Sequence, residues 1–112
     1  MVNSYVRSVC LFAAFWIPVA SVEGQQETFD IYWVDVEGGA ATLLISPNGE
    51  SLLVDTGFPS AGNRDAERIF AATQEAGLSQ INYLVITHFH RDHVGGLEAL
   101  ADMIPIGECF DH

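Results

Sequence analysis

His88, His90, Asp92 and His93 are the residues of this sequence best suited to chemistry, and three of the chain's four histidines fall among them. Imidazole nitrogens and a carboxylate oxygen are donors that suit Zn²⁺ above all, with Fe or Mn also accommodated. The spacing has a physical sense. In an extended stretch residues two apart point the same way, so His88 and His90 can share one ion. Asp92 and His93 fall where the chain turns into the next helix, within reach of a second ion. Gly95 and Gly96 let the backbone pass close around the site. Two ions about 3.5–4 Å apart hold a water, lower its pKa and stabilise a developing oxyanion, which is machinery for hydrolysis. The ordinary alternative is a solvated polar loop after a strand, but three clustered histidines have no simple structural use.

Such residues need a frame. Residues 81–87 form a short apolar strand, expected to be buried on both faces, that delivers His88 to a sheet edge. Upstream, residues 29–36 are rich in β-branched and aromatic side chains and read as another strand, broken by Glu37, Gly38 and Gly39. Residues 41–55 read as a hairpin turning at Asn48-Gly49. Between residues 63 and 76 the period changes. Ala66, Ile69, Phe70 and Thr73 recur at helical spacing, with Asn63 as the expected cap, Asp65 and Glu67 at the positive end, and Gly77 as the stop. A second helix is expected over residues 94–103 with Leu97, Leu100 and Ala101 inward, then a strand over residues 106–110. Strands followed by a strand–helix–strand unit give an α/β class. Arg64 and Arg68 read as a solvated helix face beside Asp65 and Glu67. Phe58, Pro59 and Phe89 suit a pocket mouth and ordinary packing equally.

The chain has 112 residues and no lysine, with 4 basic against 15 acidic side chains and a net charge of −11. At 49% hydrophobic and 17% charged residues it is globular in composition and long enough for one small domain. So acidic a chain does not coat nucleic acid by charge. Arg7, the apolar run over residues 9–20, and the small residues Ala20, Ser21 and Gly24 have the layout of a secretory signal peptide. The run is shorter than the roughly 20 residues of a membrane span, so no stable span is expected. Cleavage after Gly24 leaves residues 25–112, with Cys109 as the remaining cysteine and no internal disulfide. The expected destination is the periplasm or the exterior.

The pattern His88-x-His90-x-Asp92-His93, preceded by Leu53-Val54-Asp55-Thr56-Gly57, resembles the metallo-β-lactamase superfamily. More narrowly, residues 34–36, the hairpin, residues 54–57 and residues 85–88 resemble the hydrolase domain of DNA-uptake competence proteins. The resemblance implies the N-terminal half of an αββα sandwich over residues 25–112. It implies that His88 and His90 bind one metal and Asp92 and His93 a second, with Asp92 as the candidate catalytic residue. It also implies that Asp55 orients the histidine loop by hydrogen bonds, although an aspartate before Thr56-Gly57 equally suits a turn. Residues 37–41 lack the aspartate that competence-type domains carry there. The family's third histidine, bridging aspartate and last histidine are also missing, and His112 follows His93 too closely to be one of them. The expectation is an exported hydrolase using a water activated by two metal ions, zinc foremost, truncated before its later ligands. The −11 charge ranks a small-molecule substrate above nucleic acid. The rival is a non-catalytic remnant that at most binds metal.

Overall fold

The computed structural model describes residues 28–111. The expected leader over residues 1–24, Cys10 and His112 lie outside them. Five strands form one sheet: β1 (Asp30–Trp33), β2 (Thr42–Ile45), β3 (Ser51–Val54), β4 (Ile81–Val85) and β5 (Ile106–Phe110), adjacent in chain order. The first three pair antiparallel, whereas β3, β4 and β5 run parallel. Parallel neighbours need crossover connections. Here the first is α1 (Arg64–Glu75), entered through a short 3₁₀ turn (Ala61–Asn63), and the second is the pair α2 (Arg91–Val94) and α3 (Leu97–Ala101).

Alternation along the strands decides the core. Leu43, Ile45, Leu53, Ile81 and Leu84 bury one sheet face against Ala66 and Ile69 of α1 and Leu100 of α3, with Ile86 and Ile104 completing the cluster. The opposite face carries Ile31 and Trp33 of β1 and Phe110 of β5, all exposed. The strand β4 is therefore buried on one face and only half-buried on the other, which corrects the expectation of burial on both. The reason is that the helices all pack on one side. Among the described residues no helix is long and apolar enough to cross a membrane.

Other departures are local. The expected second helix is shorter, α3 alone, and a separate helical turn, α2, precedes it across Gly95 and Gly96. Ala101 is exposed although Leu100 is buried. Asn63 precedes α1 in a left-handed conformation, φ 56°, and its side chain makes no capping bond. Gly77 ends α1 as expected, with φ 71° and its N–H donated to the Gln74 carbonyl. Arg64 and Arg68 are not simply solvated, because both meet Asp35 at the end of the β1 region.

Candidate metal centre

The parallel register places Val54, Val85 and Phe110 in one row. The segments that leave β3 and β4 therefore emerge side by side at the carboxyl edge of the sheet, the edge where ligands bind in open α/β sheets. Asp55 comes from the first and His88 from the second. Asp55 takes a left-handed backbone, φ 60°, while its N–H still donates to the Val85 carbonyl at 2.9 Å. That turn directs its carboxylate across to the histidine segment.

Asp55 is buried, with 2% of its surface exposed, so its carboxylate needs partners. It has three. The Thr87 N–H donates to Oδ1 at 2.8 Å, the Thr87 hydroxyl donates to Oδ2 at 2.7 Å, and His93 Nδ1 reaches Oδ2 at 2.8 Å. Burial raises its pKa, but the bonds from His93 and Thr87 outweigh burial and hold the carboxyl below its ordinary range. Because the Thr87 hydroxyl gives its proton to Asp55, its oxygen accepts from His88 Nδ1, 3.0 Å away. The network thus commits Nδ1 of both His88 and His93 and leaves Nε2 of each as the lone-pair donor. Partners of this kind fix ring orientation and tautomer in metal sites.

The rings of His88 and His93 lie 4.0 Å apart between centroids, and those of His88 and His90 lie 4.6 Å apart. Asp92 is partly exposed, and its Oδ2 is 3.5 Å from His93 Nε2. All four residues proposed from the sequence are therefore gathered at one place. They meet ring against ring, however. Among the described residues no group of three His, Cys, Asp or Glu side chains is arranged to hold an ion. Their donor chemistry, three imidazoles and one carboxylate, fits zinc.

Backbone contacts seat the loop. His93 O accepts from the Thr56 N–H at 2.7 Å and from the Thr56 hydroxyl at 3.1 Å. Asp92 O accepts from the Ala40 N–H at 3.2 Å, and Ala40 O accepts from the Gly57 N–H at 3.0 Å. Gly39 and Gly96 permit this approach. A Cβ on Gly39 would stand 1.8 Å from Asp92 O, and one on Gly96 would stand 2.1 Å from Thr56 O.

Two contributors escaped the sequence reading. Thr87 looked like the last residue of a strand, yet its hydroxyl links His88 to Asp55. Asp65 looked like an acid at a helix start, yet it is wholly buried. Its Oδ2 accepts from the Phe58 N–H at 2.8 Å and the Glu37 N–H at 3.0 Å, while Arg64 donates to Oδ1 at 2.7 Å. Asp65 thereby ties the segments after β1 and β3 together beneath the centre. No local signal separates it from an exposed helix-start aspartate, since its partners are distant in sequence.

The histidine-rich turn thus sits at the carboxyl edge of a mixed α/β sheet covered by helices on one side. The family model described as the metallo-β-lactamase superfamily matches residues 34–109, and the chain belongs to that superfamily. It is 38% identical over 68 residues to beta-lactamase-like protein 2 homolog of Caenorhabditis elegans, covering 59% of this chain and 22% of that protein. It is 36% identical over 67 residues to hydroxyacylglutathione hydrolase of Xanthomonas euvesicatoria pv. vesicatoria, covering 60% and 23%. Recombination protein 2 of Haemophilus influenzae is 33% identical over 79 residues, covering 70% and 10%. Among solved structures, a motif mutant of the Cronobacter sakazakii metallo-β-lactamase superposes with a TM-score of 0.52 at 26% identity, covering 66% of this chain and 28% of that one. The chain thus spans about a fifth of the length of the first two relatives, and its described fold corresponds to the N-terminal α/β half of the superfamily's sandwich.

Proposed function

We propose that this chain carries the first metal-binding loop of an exported, metal-dependent hydrolase acting on a small molecule. His88 and His90 hold one ion, and Asp92 and His93 hold a second. When bound, the ions, zinc foremost with Fe or Mn as alternatives, supply a water of lowered pKa and a positive charge against the developing oxyanion. The chain's own residues do the positioning. Asp55 keeps His93 oriented directly and His88 through Thr87. Asp92 would supply the carboxylate of the ligand set. These four residues would be this chain's share of the ligand set, and the chain covers about a fifth of the length of the first two relatives. Export rests on the leader-like residues 1–24.

The observation that carries the reading is the Asp55 network, because it leaves Nε2 of two neighbouring histidines as donors. The test is the metal content of residues 25–112 after mild dialysis, beside the double variant His88→Ala, His90→Ala. Near-stoichiometric zinc or iron, lost in the variant, is the expected result. The rival reading, a non-catalytic segment that holds metal weakly or not at all, draws on the absence of three converged donors among the described residues. Background metal in both proteins favours that rival.

A further inference from the structure

Asp65 is a fully buried carboxylate that the proposed function leaves without a role. A buried charge is costly unless its oxygens are engaged. Here Oδ2 takes the N–H groups of Phe58 and Glu37, and Oδ1 takes the Arg64 guanidinium. The fit is close. A Cβ on Gly57, which has φ 70°, would stand 2.8 Å from Oδ2.

The two N–H groups belong to the two segments that hold the histidine turn. On one side, His93 O accepts from the Thr56 N–H, and the Gly95 N–H donates to Gly57 O at 3.1 Å. On the other, the Ala40 N–H donates to Asp92 O. The Gly57 N–H joins the two segments by donating to Ala40 O. Asp65 joins them a second time, at Phe58 next to Gly57 and at Glu37 just before Gly38 and Gly39. Those glycines leave the segment conformationally free, so its position depends on the bonds at its two ends.

We propose that Asp65 is a positioning residue for the histidine turn. By clamping Glu37 to Phe58 it fixes the two segments that set the backbone of Asp92 and His93. The inference rests on the function proposed above and adds a residue to its machinery. Asp65 acts through the backbone. Ligand side chains must be held within about 0.5 Å of the productive geometry, so a shift of either segment reaches the ligand set.

Two substitutions separate positioning from stability. In Asp65→Asn the remaining oxygen can take the Oδ2 place and keep both N–H bonds, with the amide nitrogen facing Arg64. Asp65→Ala loses both bonds. Stability is expected to fall in each, but positioning only in Asp65→Ala.

The first readout is amide hydrogen exchange of the metal-free chain, followed by NMR. In the wild type the N–H groups of Glu37 and Phe58 are expected to be protected alongside those of Ala40 and Thr56. In Asp65→Ala, Ala40 and Thr56 are expected to exchange at least about tenfold faster relative to Leu53 and Leu84 of the sheet. In Asp65→Asn that ratio is expected to stay within about twofold of the wild type. The second readout is a zinc titration, with affinity expected to fall about tenfold in Asp65→Ala and less than about twofold in Asp65→Asn.

Unprotected Glu37 and Phe58 amides in the wild type overturn the proposal, a result that needs no variant to fold. So does exchange at Ala40 and Thr56 that merely follows Leu53 and Leu84 in Asp65→Ala, or an Asp65→Asn as impaired as Asp65→Ala. If the wild-type chain takes up no zinc, the hydrolase reading fails, and the exchange of the metal-free chain still decides the role of Asp65.

Discussion

A single carboxylate, Asp55, satisfies one backbone N–H, one hydroxyl and one imidazole while itself almost wholly removed from water. Its removal leaves two donors of Thr87 and the partly buried His93 ring without their acceptor, a combined loss of about 1–3 kcal/mol. Asp55→Ala is therefore expected to lower stability by that amount in urea unfolding and to weaken metal binding about 10–100-fold in a zinc titration. Thr87→Val separates the two effects. Thr87 is exposed, so losing its hydroxyl is expected to change stability by less than about 1 kcal/mol. Because that hydroxyl connects His88 Nδ1 to Asp55, metal affinity is still expected to fall about tenfold. An equal loss of stability in both variants counts against the hydroxyl link. Asp65→Asn replaces one acceptor oxygen by a donor facing other donors, and it is expected to cost about 2 kcal/mol in the same unfolding experiment.

At the scale of elements, legibility in the sequence followed how local the cause was. The helix α1 was readable because Ala66, Ile69 and Thr73 recur at a period that one buried face imposes, and all three are buried. The hairpin was readable from Asn48-Gly49, where Gly49 takes φ 86°. The ligand-type residues were visible because their spacing is short. What the local pattern did not contain were tertiary partners. Asn63 has the chemistry of a cap but forms none, while Asp65 spends its carboxylate on Glu37 and Phe58. Gly96, just before α3, lies where its backbone comes close to Thr56 O, a contact no local pattern announces. The same dependence on close approach applies to the segment after β1. Gly39→Ala is expected to displace that segment from Asp92 O, lowering the melting temperature and the zinc affinity together. Unchanged values in both measurements would show that the segment gives way freely.

For the molecule as a whole, the sheet is covered on one side and presents Ile31, Trp33 and Phe110 on the other, with Trp33 78% exposed. Exposed apolar side chains on an uncovered sheet face favour association. Isolated residues 25–112 are expected to self-associate with rising concentration in sedimentation velocity, and Trp33→Glu to reduce that association. Topology also orders events in time. The β2–β3 hairpin closes through a short turn, but the Thr87 and His93 partners of Asp55 lie 32 and 38 positions away. They arrive only after α1 has brought β4 alongside β3, and such long-range closures are slow. Interactions formed after the rate-limiting step protect the native state without speeding its formation. Asp55→Ala is thus expected to leave the refolding arm of a stopped-flow chevron nearly unchanged and to raise the unfolding rate. The histidine turn then acts as a kinetic latch, the last part of the chain to settle and the first to open.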